Sequence, residues 1–385
     1  MIRTNTGFVT LFLREIRNLL YLRPLNSKFM NQTVYILAPY PKSEAPSQRF
    51  RFEQYLASLE QNGFDVHYHP FLDEKAWQNL YAKGKVIHKA SGMIRAFCRR
   101  WLLLFQLRKA DFVFIHREAA HLGPPVFEWI IAKLLRKRII YDFDDAIWLP
   151  NYSDTNALFH RLKAYWKVKY IIKWSYKVSA GNQYLADFAS RYTKHVEIIP
   201  TTIDTEGHHN QSANHDHQPL IIGWTGTHTT MRYLDELIPI LQNLEKKYDF
   251  RFRIISNQPP HYNLESLEFI KWNKASEIKD LAELHIGVMP LQPDIWAEGK
   301  CGFKALQYMA LGIAAVASPV GVNTTIIQHG VTGFLASTPE EWSDCLEQLI
   351  RDYAIRVQLG NAGKLRVKNH FSVLAITPRF ISLFS

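Results

Sequence analysis

Short apolar runs recur along the chain, each leading through a polar loop into apolar residues at helical spacing. The first, residues 33–38, is rich in β-branched and aromatic side chains and stops at Pro39-Tyr40-Pro41. That is how a buried strand delivers a loop. Residues 50–62 follow with helical spacing, Gly63 closes them as a C-cap glycine would, and residues 65–69 resume as a strand. Strand, helix and strand in this order make a βαβ unit, and hence a parallel sheet with right-handed crossovers. Strands at 111–115, 138–142, 178–180 and 196–199, with a helix at 124–135, extend the same sheet. A second series starts at 220–224. It continues with strands at 252–255, 285–289 and 313–317 and helices at 234–248, 278–284 and 303–310, and helices at 340–352 and 354–369 close it.

The two series predict an α/β protein of two Rossmann-like, doubly wound parallel-sheet domains facing across a cleft, with ligands at the carboxyl ends of the strands. The expected boundaries are an amphipathic extension at 1–30, a first domain at 31–204, a linker at 205–218 and a second domain at 219–370. A terminal helix at 371–385 is expected to pack back on the first domain. The linker is polar and rich in His and Asn, a composition more typical of loop than of a metal site.

Charge adds a direction. Residues 1–200 carry 30 Lys+Arg against 16 Asp+Glu, and residues 201–385 carry 16 against 19, so the net +11 divides into +14 and −3. A field this one-sided favours an anionic partner. The basic aromatic stretches 85–109 and 160–177, and the amphipathic 10–22, fit either an anionic membrane surface or packing on the first domain with their charges in solvent. No nucleic-acid recognition motif accompanies them. The three cysteines, Cys98, Cys301 and Cys345, form no plausible disulfide set, which points to a reducing compartment, the cytoplasm; the basic first half adds an expectation of peripheral attachment at the inner face of its membrane.

The candidate chemistry gathers where strands give way to helices. Gly299-Lys300-Cys301-Gly302 opens the helix at 303–310; its free N–H groups and positive dipole end suit a phosphate. Lys300 and Lys304 could neutralise a pyrophosphate there, and Gln307, one turn on, could meet ribose hydroxyls. Gly226 and Thr227 lie in a strand-to-helix loop where a glycine permits close backbone approach. Ser47, Arg49 and Arg51 stand where the first strand's loop becomes a helix, and arginine forks suit phosphate or carboxylate. His116 and Arg117 end a strand aimed at the cleft. Asp142-Phe143-Asp144-Asp145 follows another strand. An Asp-x-Asp triplet can hold a divalent ion in a single-domain fold, but two Rossmann-like halves contradict that fold. Asp144 and Asp145 are therefore expected to line the cleft, with no metal.

Taken in order and spacing, five segments resemble the large retaining glycosyltransferase family four, the group 1 glycosyltransferases of GT-B fold, over about residues 35–371. They are Ala38-Pro39-Tyr40-Pro41 with the run 47–51, the run 199–204, Gly223-Trp224-Thr225-Gly226, the block 300–321 and the run 329–335. The resemblance implies transfer of a hexose-type sugar from a nucleotide-diphosphate sugar to a glycan or lipid-linked acceptor in cell-surface polysaccharide assembly. It implies retained configuration, no required metal and no cofactor. It assigns donor binding to Gly226, Thr227, Glu298, Lys300, Lys304 and Gln307, and acceptor binding to Ser47, Arg49, Arg51 and Asp145. Catalytic roles fall to His116, Arg117 and Asp144. The family usually carries two glutamates with seven residues between them. Here the second falls on Gln307 and the first on Gly299, with Glu298 one residue out of register, so the chain looks like a divergent subgroup. Two other readings share the fold: a nucleotide-sugar epimerase, which would need a titratable pair for proton transfer at carbon, and a non-catalytic scaffold of a glycan-assembly complex.

Overall fold

A computed structural model describes residues 32–80, 84, 86–150 and 162–385 of the chain. The amphipathic extension expected at 1–30 lies outside the described residues. The first sheet contains β1 Gln32–Ala38, β2 Phe64–Pro70, β3 Phe112–His116, β4 Arg138–Phe143, β5 Lys177–Ala180 and β6 Val196–Ile198, in the order β2-β1-β3-β4-β5-β6. The second contains β7 Leu220–Gly226, β8 Phe250–Ser256, β9 Leu267–Lys271, β10 Ile286–Met289, β11 Ala314–Ala317 and β12 Phe334–Leu335, in the order β12-β11-β10-β7-β8-β9. All pairings are parallel. Strand order reverses between β1 and β3 and again between β7 and β10, and the crevices of such sheets open at these points. The predicted doubly wound halves are both present.

The longer helices are α1 Val86–Gln106, α2 Lys167–Trp174, α3 Gln183–Ser190, α4 Phe303–Ala310, α5 Pro339–Arg351, α6 Tyr353–His370 and α7 Val373–Ile381. Strands of the first sheet are apolar on both faces because helices cover both. Val113 and Ile115 of β3 pack with Leu103, Leu104 and Ile171 of α1 and α2 on one side. Phe112 and Phe114 pack on the other with Phe52, Tyr55 and the end of the chain, where Phe380, Leu383 and Phe384 are buried. Tyr55 stacks on Phe380 with ring centroids 4.3 Å apart. The chain thus returns from the second half to the first, and Ile203 bridges Ser372 where its outward and return crossings meet.

Some elements differ from the periodicity. The helix expected at 234–248 is a 3-10 segment His228–Leu234 followed by Ile238–Leu244, because Pro239 sits in the first turn of the latter and restarts the helix. The one expected at 50–62 is a 3-10 turn Glu53–Tyr55 leading into Leu56–Gln61. Strand β9 was not expected. It is a half-exposed edge strand whose charged residues blunt its hydrophobic signal.

Candidate active site

The first domain brings its polar residues to the cleft at the ends of β3 and β4. Arg117, the residue after β3, adopts φ +60°, a left-handed conformation that costs a non-glycine residue about 1–3 kcal/mol. Two bonds hold it there: its N–H donates to the Asp142 carbonyl at 2.7 Å, and the Tyr141 hydroxyl donates to its own carbonyl at 2.7 Å. The turn aims the guanidinium at two carboxylates, with Nε 2.8 Å from Asp144 Oδ1 and Nη2 2.6 Å from Asp145 Oδ2. Burial works against the Arg117 charge, but Asp144 and Asp145 outweigh it and hold the guanidinium protonated. Burial also pushes the Asp145 carboxyl up, with Asp144 adding and Arg117 opposing.

His116 lies beneath the cleft floor, and Arg51 reaches the cavity wall with its guanidinium already engaged. The His116 ring is fully buried against Phe52, and its Nδ1 donates to Asp142 Oδ2 at 2.7 Å. Arg51 is 1% exposed; it donates to Asp142 Oδ1, the Ser179 hydroxyl and the Ile199 carbonyl. Burial pushes the Asp142 carboxyl up, but Arg51 and His116 prevail and keep it well below the ordinary carboxylate range. The three side chains form one internal polar knot under the cleft floor. In this geometry His116 supports Asp142 instead of meeting a substrate, and the Arg51 fork is already occupied by the protein's own acceptors.

In the second domain, Gly302 caps α4 at φ +65°, and a Cβ there would come within 2.2 Å of Ile326 Cδ1. This left-handed turn sets the loop 299–302 across the mouth of the helix, whose first N–H groups have no partner in the helix itself. Lys300 lies near the Tyr233 ring and Lys304 near the Trp224 ring, with Nζ 5.4 Å and 5.5 Å from the centroids. Among the described residues neither lysine has an ion-pair partner. Burial, reinforced by Lys300, lowers the Lys304 ammonium to about 8. Gly226 ends β7 beside the Lys304 stem. Thr227 is exposed, its hydroxyl 2.9 Å from that of Thr229.

The departures from the two-glutamate pattern now have physical reasons. Gly299 abuts the first domain so closely that a Cβ would stand 2.9 Å from Ala146 Cβ and 3.0 Å from its backbone nitrogen. No larger side chain fits there. Gln307 is 2% exposed, and its amide donates to Glu277 Oε1 at 3.4 Å; a glutamate in its place would set two carboxylates together. Glu277 in turn accepts from Arg49 of the first domain at 3.2 Å, with His208 nearby. Burial raises the Glu277 carboxyl, but His208 and Arg49 lower it to about 2. Arg49 is therefore a bridge between the halves, and Gln307 backs it from behind. Glu298 lies half-buried before this turn, its carbonyl accepting from Asn182 at 3.2 Å.

Between the halves lies a cavity of about 210 Å³, lined by Ser47, Phe50, Arg51, Arg117, Asp144 and Asp145 from the first domain. Lys300, Cys301, Gly302, Phe303 and Lys304 line it from the second. The mouth of α4 therefore opens into the groove and not away from it. Phe50 and Phe303 meet across it with centroids 4.2 Å apart, and Cys301 Sγ donates to the Asp144 carbonyl at 3.0 Å. Asn182, which also caps α3, donates to the Glu298 and Lys300 carbonyls. Sequence reasoning missed Asn182, Glu277 and Phe50. Each acts through a partner in the other half or in a distant helix.

Residues 219–352 match the family described as Glycosyl transferases group 1. Human alpha-1,3/1,6-mannosyltransferase ALG2 is 34% identical over 94 residues, which make up 24% of this chain and 19% of that enzyme; the match thus spans about a fifth of that relative's length. Sucrose-phosphate synthase from Thermosynechococcus elongatus superposes with a TM-score of 0.64 at 13% identity, covering 92% of this chain and 98% of that one. HepE of Anabaena, in complex with UDP and glucose, superposes with a TM-score of 0.59 at 13% identity, covering 91% and 98%. At such identity the likeness is one of fold, the two-domain GT-B architecture.

Proposed function

We propose, for a chain whose residues 219–352 match the group 1 glycosyl transferases, that it moves a hexose-type sugar from a nucleoside diphosphate sugar to a glycan or lipid-linked acceptor. On this reading the anomeric configuration is retained and no metal is required. It acts in the cytoplasm, in cell-surface polysaccharide assembly. The observation that carries the proposal is the pair Lys300 and Lys304, without carboxylate partners among the described residues, at a helix mouth that faces Arg117, Asp144 and Asp145 across the groove.

A diphosphate seated on the first N–H groups of α4 would lie between the two ammonium groups. Negative charge grows on the leaving phosphate as the glycosidic bond breaks, and donors fixed in advance stabilise that growth without reorganising. Lys304, poised near 8, becomes fully protonated once the dianion arrives. From the opposite wall, Asp145 accepts a hydrogen bond from the acceptor hydroxyl and orients its oxygen toward the anomeric carbon, while Arg117 fixes both carboxylates. Phe50 and Phe303 narrow the groove and exclude water that would otherwise hydrolyse the donor.

A thermal-shift screen of nucleotide sugars, starting from UDP-sugars because HepE was crystallised with UDP and glucose, identifies the donor. Turnover with that donor is then followed by the anomeric coupling of the product. Lys304→Ala is expected to abolish most turnover. If it turned over at the wild-type rate, the donor site would be elsewhere; conversion of donor without acceptor would identify an epimerase instead.

A further inference from the structure

Among the described residues, the helical layer on one side of the first sheet leaves a large apolar face uncovered. Along α1, Ile87, Ile94, Leu102 and Phe105 are 82%, 64%, 65% and 66% exposed, and Trp101 is half exposed. Their spacing puts them on one stripe of the helix, directly opposite the buried Ala96, Leu103 and Leu104. Trp101 meets Phe127 edge to face at 5.1 Å, which joins the stripe to the segment 126–134, where Trp129 and Leu134 are also exposed. That segment borders α2, where Trp166 and Tyr170 continue the face.

The charge around the stripe is of one sign. No Asp or Glu occurs between Glu74 and Asp111. Arg95, Arg108 and Lys109 flank the apolar residues of α1, and the Arg108 guanidinium sits 5.7 Å from the Phe105 ring centroid. Lys133, Lys169 and Lys173 do the same for the other two helices. Exposed aromatic and aliphatic side chains in a basic rim fit a surface with an apolar interior beneath anionic headgroups. A nucleic acid would satisfy the basic residues but leave the apolar stripe unburied.

We propose that the outer face of α1, 126–134 and α2 docks on an anionic lipid bilayer. Lys163, just before α2, and Lys167, its first residue, line a second cavity of about 160 Å³ that also reaches Arg117 and Asp145. The docked face would therefore set the acceptor wall of the groove close to the membrane. The docking stands on its own geometry; only its use, the presentation of a lipid-linked acceptor, rests on the transferase reading.

The test is sedimentation of the full chain with phosphatidylglycerol–phosphatidylcholine vesicles and with phosphatidylcholine vesicles alone. Binding to the first and not to the second is expected. Leu102→Glu with Phe105→Glu should lower the partition coefficient at least about tenfold. Arg95→Glu with Arg108→Glu should lower it severalfold and flatten its salt dependence. Nucleoside diphosphate affinity should be unchanged in both pairs, which also reports that they fold; if the first pair does not, the second decides. The proposal is overturned if the folded variants bind vesicles as the parent does, if phosphatidylcholine alone binds equally well, or if duplex DNA displaces the vesicles. Self-association that Leu102→Glu with Phe105→Glu abolishes would overturn it as well, in favour of a second copy. Vesicle binding without any transfer activity would sink the transferase reading and leave the docking surface standing.

Discussion

Two groups of charged side chains stand within a few residues of the groove, and they are treated in opposite ways. Arg51, Asp142 and His116 are buried together and ion-paired with one another. Lys300 and Lys304 are adjacent like charges that make no direct ion pair among the described residues, although Lys300 acts on Asp145 across the cavity. Burying a charge is costly unless a partner comes with it. The first group therefore belongs to the scaffold, and the second stays uncompensated until something anionic enters. Proximity to a cleft does not separate such roles; the state of pairing does.

The contrast can be broken most forcefully at Asp142. Asp142→Ala leaves Arg51 buried without its carboxylate and should cost about 3–5 kcal/mol in chemical denaturation; a loss below about 1 kcal/mol would mean that the knot is not structural. Lys304→Ala should do the reverse. It should leave stability nearly unchanged and weaken nucleoside diphosphate binding about 10- to 100-fold by calorimetry, the loss of one charge-assisted contact. Gln307→Glu places a carboxylate against Glu277 and should destabilise by about 1–2 kcal/mol, with most of the loss recovered on adding Glu277→Gln. A double-mutant cycle with no coupling would dismiss that account of the glutamine. The smallest effect is in pH. Because Lys304 is lowered to about 8 and the ligand needs its charged form, affinity should fall as pH rises through that value. The slope should be absent in Lys304→Ala.

What the sequence made legible follows from how locally each feature is encoded. The helix 303–310 coincides with α4 because its glycine turn, apolar spacing and following Gly312 are all consecutive. The two-domain fold and the group 1 resemblance were readable for the same reason: repeated strand–helix units and short motifs declare themselves within a few residues. The Arg51–Asp142 pair spans 91 positions and the Arg49–Glu277 pair spans 228, and nothing near either residue announces its partner. Hence His116 looked like a cleft residue when it is buried beneath the floor, and Arg51, which does reach the cavity wall, looked free when Asp142 already holds it. Gln307 looked like a free amide when Glu277 already holds it.

The return of the chain to its starting domain has a consequence for synthesis. Phe380, Leu383 and Phe384 complete the apolar cover over β3, so part of the face around Phe112 and Phe114 stays open until residues 380–384 have been made. That part must wait, greasy side outward, through the making of an entire second domain. Loss of residues 374–385 would be felt first in the first sheet, far away in sequence.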